Sequence, residues 1–294
     1  MQASIDTLVV VGVGLIGGSF ALALRRAGRV RHVIGVGRSL ANMQRALELG
    51  VVDEVSTELG AACARADMVL LATPVGQMGA LFGAMAPKLP AHTIVTDAGS
   101  TKGDVALLMR EHLPEHLARC VPAHPIAGSD LSGAAAAQFG LYEGRRVVLT
   151  PLPESDDDAV ATVRALWQAC GADVHEMAAH EHDSVFASVS HLPHLLAFAY
   201  VERIVARADA ERRFDFAATG FRDFTRIAGS HPEMWRDIAL ANRDALLGEL
   251  DDYMAGLNRL RSQLAEADGE AMQHTFERAR DARNRWYQRF LRGQ

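Results

Sequence analysis

The sequence predicts an α/β domain built on a mostly parallel sheet, followed by an all-helical domain. Three observations carry this. Short β-branched runs alternate with amphipathic stretches as far as Glu176, and a glycine-rich segment, Gly12 to Gly17, follows the first of those runs. No convincing strand appears after Ala178. Strands that alternate with helices imply a parallel sheet covered on both faces.

Leu8-Val9-Val10-Val11 reads as the first strand, and the stretch from Leu15 as the first helix, ended at Gly28. Val33 to Val36 is the second strand; its helix runs from Ala41 to Leu49 with Gly50 as the stop. Met68 to Ala72, Thr93 to Thr96, Arg146 to Thr150 and Asp173 to Glu176 continue the series, and Cys120-Val121-Pro122 is a further short apolar segment. The acidic run Glu154 to Asp158 reads as a loop and helix N-terminus, where carboxylates favour the dipole. Beyond Ala178, helical periodicity covers Leu195 to Ala208, Pro232 to Asn242, Arg243 to Leu264 and Glu270 to Leu291. The expected domains are therefore 1–177 and 178–294.

A chain of 294 residues, 49% hydrophobic, suits about two domains. The net charge of −6 gives no basic footprint for nucleic acid or an anionic membrane. Leu8 to Gly18, the most apolar run, is too short and too rich in glycine to span a bilayer. The start lacks the basic region and cleavage site of a signal peptide. Cys63, Cys120 and Cys170 form no CxxC pair and read as reduced thiols of a cytoplasmic protein. Nucleic-acid, membrane and secreted classes are set aside.

Gly12-Val13-Gly14-Leu15-Ile16-Gly17 stands between a strand and a helix, the context that turns a bare GxGxxG into a Rossmann-type dinucleotide site. Its glycines permit a tight turn, close approach of a pyrophosphate to the amides of Leu15, Ile16 and Gly17, and close helix–strand packing. The competing reading is a glycine-rich turn with no ligand. The acid expected about 20 positions on, where it would bind the ribose of NAD, is missing. Gly37, Arg38 and Ser39 stand there instead. Loss of the carboxylate removes repulsion of a 2′-phosphate, and Arg38 with Ser39 could grip it, which favours NADP over NAD. Otherwise Arg38 simply points into solvent.

Asp97-Ala98-Gly99-Ser100-Thr101-Lys102 follows a strand at the ligand-binding edge of the sheet. By themselves, Ser100 and Lys102 read as helix-capping and surface residues, and His124 as a structural histidine in a turn. His191 and His194 have a spacing that suits metal ligation. No third ligand accompanies them, so no metal is assigned.

Taken together, GVGLIGGS at Gly12, LATPV at Leu71, DAGSTK at Asp97, HPIAGSD at His124, SHLPH at Ser190 and FRDFTRIAGSHPEMWRDI at Phe221 resemble the prephenate/arogenate dehydrogenase family of tyrosine biosynthesis. The resemblance implies hydride transfer to NAD(P)+ coupled to decarboxylation of a cyclohexadienyl ring. The substrate would be prephenate, with arogenate as the alternative. It implies that His124 is the catalytic histidine, bonded to the ring hydroxyl, and that Ser100 hydrogen-bonds this histidine near the nicotinamide. Thr73 and Pro74 fall with the cofactor, and His191 and His194 at the substrate pocket. Arg226 would bind a substrate carboxylate, where a planar fork outperforms an ammonium. Ser129 and Asp130 would line the pocket, with Asp130 setting the arogenate share unless it only caps the following turn. Asp223, Ser230 and Trp235 would shape the pocket.

The family also implies a homodimer through the helical domain, which agrees with the apolar series Leu246, Leu247, Leu250, Tyr253, Met254, Leu257 and Leu260 near heptad spacing. No fused mutase or regulatory domain is expected, so tyrosine feedback would act at the active site. A β-hydroxyacid dehydrogenase is the rival enzyme, but it relies on a lysine in its helical domain and none follows Lys102. A non-catalytic dinucleotide sensor is the rival of another class; it would not need an arginine and three histidines in motifs spread across both domains.

Overall fold

The computed structural model describes residues 4–128 and 131–292. The strands among these residues are β1 (Ile5–Val11), β2 (Val30–Val36), β3 (Glu54–Ser56), β4 (Met68–Leu71), β5 (Ile94–Asp97), β6 (Cys120–Val121), β7 (Ala123–Pro125), β8 (Arg146–Leu149) and β9 (Asp173–Glu176). The helices between them are α1 (Leu15–Arg26), α2 (Leu40–Glu48), α3 (Leu59–Cys63), α4 (Met78–Met85), α5 (Gly103–His112) and α6 (Asp157–Ala169). After β9 come α7 (Ala179–Phe186), α8 (Leu192–Val205), α9 (Ala210–Asp215), α10 (Thr219–Thr225), α11 (Pro232–Ala241), α12 (Arg243–Ala265) and α13 (Gly269–Arg292).

Six strands form a parallel sheet in the order β3-β2-β1-β4-β5-β6. This is the strand order of dinucleotide-binding sheets, with its switch point between β1 and β4. Leu8 and Val10 of β1 enter one apolar layer, and Val9 and Val11 the opposite one. That is why the strand reads as an unbroken apolar run rather than an alternation. Phe20 of α1 packs on Trp167 of α6 with ring centroids 4.4 Å apart, which closes the first layer.

The structure departs from the sequence reading in one way that matters for function. Arg146 to Thr150 and Asp173 to Glu176 do not extend the large sheet. They form β8 and β9 of a second, three-stranded sheet in which β7 runs antiparallel to β8. Pro122, which has no N–H to give a ladder, separates β6 from β7 and lets the chain pass from one sheet to the other. His124 lies on β7, opposite Val148.

Packing divides the chain into Met1–Arg243 and Asp244–Gln294. In the first unit, α7 to α11 follow the sheets and carry the remaining site residues. A π-turn, Ala187–His191, joins α7 to α8. The whole stretch Ala179–Val205 is long and apolar enough by length and composition to cross a membrane. It carries buried His182, Asp183 and His191, all of them hydrogen-bonded to neighbours in the site described below. The second unit consists of most of α12 and α13.

Candidate active site

The carboxyl ends of β1, β4 and β5 lie side by side, Val11 against Leu71 and Leu71 against Asp97. The loops that leave them meet at one edge. Gly12 has φ +94, and a Cβ there would stand 2.5 Å from the Ala72 carbonyl oxygen. A Cβ on Gly17 would stand 2.5 Å from the Gly12 oxygen, whereas one on Gly14 would meet nothing within 4 Å. The first glycine makes the turn, the third lets helix pack on strand, and the second leaves open space for a ligand at the N-terminus of α1. There the amides of Leu15, Ile16 and Gly17 lack intrahelical acceptors and present the positive end of the dipole.

Beside this turn, Thr73 Oγ1 is buried and bonded to none of the described residues. An orphan hydroxyl next to an open glycine cradle fits a pyridine nucleotide, whose polar groups would complete it. Pro74, with ψ 141, carries the backbone from Thr73 into the next turn. Asn42, absent from the sequence reading, braces the loop: its Nδ2 donates to the Val13 carbonyl at 2.8 Å and its Oδ1 accepts from the Ala134 amide at 2.7 Å. At the end of β2, Ser39 Oγ accepts from the Asn42 amide and caps α2. Arg38 is exposed and bonded to none of the described residues.

Asp97 and Lys102 are both fully buried and ion-paired. Lys102 is thus no surface residue, in contrast to the reading from its turn alone. Its Nζ also donates to the Ala123 carbonyl at 2.8 Å, while Asp97 accepts from the amides of Gly99 and Ala123. The pair fastens the β5 loop to the residue preceding His124.

The His124 Nδ1 lies 2.8 Å from His182 Nε2, and His182 Nδ1 lies 2.8 Å from Asp183 Oδ1. Phe186 packs on both rings. Although an edge of His124 stays open, loss of hydration first, and then His182, Lys102 and His191, hold its pKa well below 6.5. The ring is neutral. Asp183 loses hydration too, but the bonds from His182 and from the amides of Lys102 and Gly103 outweigh that and keep it a carboxylate. Ser100, in contrast to the implied bond, makes no hydrogen bond to His124 among the described residues; the Nδ1 of that ring is paired with His182 instead.

His191 is buried, and burial lowers its pKa to about 4. The Asn242 Nδ2 donates to the Asp183 carbonyl at 2.8 Å and lies 3.0 Å from His191 Nδ1. An amide nitrogen cannot accept, so His191 Nδ1 is bare and Nε2 carries the proton. His194 stacks on Trp235 with centroids 3.4 Å apart, and its Nδ1 donates to the Ser190 carbonyl. The two histidines of SHLPH are thereby committed to different partners. Arg226, at the end of α10, is exposed and close enough to push the pKa of His194 down after burial has done so. Asp223 pairs with Arg222 on the surface, and the Ser230 amide donates to Ile227. Ser129 and Asp130 lie outside the described residues.

Sequence reasoning missed His182, Asp183, Asn42 and Asn242. His182 and Asp183 are adjacent and stand shortly before SHLPH, the one signal that could have marked them.

Residues 20–176 match the family described as prephenate dehydrogenase, nucleotide-binding domain, and residues 178–278 that described as prephenate dehydrogenase, dimerization domain. The chain is 35% identical to a cyclohexadienyl dehydrogenase of Zymomonas mobilis, over 94% of each chain. It is 36% identical to a prephenate dehydrogenase of Bacillus subtilis, over 95% of this chain and 76% of that one. Its fold matches a crystal structure of prephenate dehydrogenase from A. aeolicus in complex with hydroxyphenyl propionate and NAD+, with TM-score 0.88, 35% identity, and 94% and 97% of the two chains covered.

Proposed function

The chain belongs to the prephenate dehydrogenase family of pyridine-nucleotide oxidoreductases, and from that premise we propose how its residues divide the work on prephenate, with arogenate as a second substrate. The observation that carries the proposal is a neutral His124 whose Nε2 is bonded to none of the described residues. Such a nitrogen can accept the hydrogen bond of the ring hydroxyl. It holds the hydroxyl proton while the oxygen takes on carbonyl character, and returns it as the phenol forms. The ring carboxylate leaves as CO2, and the electrons of the broken C–C bond complete the aromatic ring. The bound nucleotide supplies a nicotinamide that accepts the hydride.

Arg226, unpaired among the described residues, is the group for a substrate carboxylate, and the Trp235–His194 stack offers an apolar wall beside it. The cradle at Gly14 and the orphan Thr73 hydroxyl hold the nucleotide. NADP is preferred over NAD: no acid stands at Gly37, Arg38 is free to meet a 2′-phosphate, and Ser39 keeps its hydroxyl proton to donate even while its oxygen caps α2. The nucleotide-binding part is 1–177 and the substrate and dimer part 178–294. A homodimer buries the apolar side chains that α12 and α13 leave exposed in one chain, among them Leu247, Met254, Leu257, Phe276 and Trp286.

The test is to supply prephenate or arogenate with NADP+ or NAD+ and follow both reduced nucleotide and released CO2. Stoichiometric formation of the two from prephenate supports the reading. Reduction without CO2, or with 3-hydroxyacids alone, returns the chain to a β-hydroxyacid dehydrogenase, and no reduction at all to a nucleotide sensor.

A further inference from the structure

His182 and Asp183 are neighbours in α7, yet both turn their side chains toward the β5 and β7 side of the site. Asp183 receives the amides of Lys102 and Gly103 at 2.8 and 2.7 Å, which fixes the carboxylate in place. His182 is wholly buried between that carboxylate and His124.

The protons in this row follow from what each atom can do. A carboxylate only accepts, so His182 Nδ1 carries a hydrogen and donates it to Asp183. His182 sits where hydration is lost, and that outweighs the neighbouring carboxylate and keeps the ring neutral. Its Nε2 is therefore bare and can only accept. Among the described residues the partner of that nitrogen is His124 Nδ1, which must then carry the hydrogen. A neutral imidazole with hydrogen on Nδ1 has its lone pair on Nε2.

We infer that Asp183 and His182 form a tautomer lock that holds His124 with a bare Nε2, the form able to take a proton from a substrate hydroxyl. The inference rests on the reading of His124 as that acceptor. His182 and Asp183 are positioning residues: neither needs to touch substrate. Without the lock, a neutral histidine in water favours the opposite tautomer or exchanges between the two, and each Nε2–H form meets the hydroxyl donor to donor. The arrangement differs from an acid that orients a catalytic histidine directly. Here a second histidine stands between them and passes on the same tautomer, with hydrogen on Nδ1 of the catalytic ring and Nε2 bare.

The experiment changes His182, because Asp183 also caps the start of α5. His182→Gln retains an acceptor oxygen near the Nε2 position, whereas His182→Leu removes it. The first readout is 15N NMR of histidine-labelled free enzyme, which assigns each ring nitrogen of His124 as protonated or bare and needs no turnover. The wild type should show Nδ1 protonated and Nε2 bare, His182→Gln the same, and His182→Leu a mixture or the opposite form. The second readout is kinetic: His182→Leu should lose kcat by about 10²-fold while KM for prephenate moves by less than about threefold, and His182→Gln should recover most of it.

A wild-type spectrum with hydrogen on Nε2 overturns the inference even if the leucine variant does not fold. An unchanged His124 tautomer in a folded His182→Leu overturns it as well. If prephenate is not turned over but the tautomers behave as stated, the lock stands and the substrate reading alone falls.

Discussion

Lys102 reaches back across its own loop to Asp97, and the two side chains, neither of them exposed, form an ion pair that also holds both the amide and the carbonyl of Ala123. The residue after Ala123 is His124. Lys102→Met leaves a carboxylate buried without its counter-charge, and the loss of stability should be about 3–5 kcal/mol. Urea unfolding of the variant against the wild type measures it. A loss below about 1 kcal/mol would show that the pair is no more than a surface-grade contact.

Two glycines of the nucleotide loop should separate binding from folding. Gly14→Ala adds a Cβ that meets no protein atom within 4 Å. Its melting temperature should stay near that of the wild type while nucleotide affinity falls by about tenfold or more, since only the ligand occupies that space. Gly12→Ala is strained at φ +94 and puts Cβ against Ala72. It should cost about 2 kcal/mol or more of stability in addition to binding. Equal melting losses in the two variants would contradict the assignment of open space at Gly14.

The nucleotide preference should lie at the end of β2. Arg38→Ala is expected to raise KM for NADP+ by about 10- to 100-fold, the scale of a charge-assisted hydrogen bond, and to leave NAD+ nearly unaffected. Gly37→Asp should move the preference toward NAD+. Its Cβ comes closest to the methyl and sulfur at the flexible end of Met43, which can yield. A wild-type enzyme that favours NAD+, or an Arg38→Ala that weakens both nucleotides alike, would remove Arg38 from the 2′-phosphate.

Acid should weaken the fold through the same histidines that serve the site. His191 titrates near 4 when folded and from 6.5 when not. Below that upper value the unfolded chain takes up a proton the folded chain refuses, so stability falls as the pH drops and levels out near the folded value. From about pH 7.5 to about pH 5, His191 alone accounts for about 2 kcal/mol. His124, His182 and His194 act in the same direction. Urea midpoints that do not change over this range would contradict their burial as neutral rings.

The parallel sheet and the nucleotide loop were legible because β1 and the GxGxxG turn encode local geometry: a doubly covered strand, then a turn in which a Cβ has no room at Gly12 or Gly17. His124 was legible only through its motif. The lock beneath it was not, because His182 and Asp183 meet Lys102, Gly103 and His124 from far along the chain, and a pattern of neighbours carries no such pairing. The π-turn hid more. On an ideal helix His182 and His191 fall on opposite faces. The wider turn between them changes that phase, and the tie from Asn242 to both Asp183 and His191 appears only in three dimensions. The antiparallel entry of β7 was hidden for the same reason, since Cys120 to Pro125 is too short to show its own direction.

In the proposed division of labour, His124 serves the chemical step while Arg226 serves binding. Steady-state kinetics with prephenate and saturating nucleotide tests it most directly, on the wild type, His124→Asn and Arg226→Ala. His124→Asn should lose kcat by about 10²-fold or more with little change in KM, and Arg226→Ala should raise KM by about tenfold or more with kcat largely kept. A His124→Asn enzyme that retains kcat, or two variants sharing one KM-only defect, would contradict it.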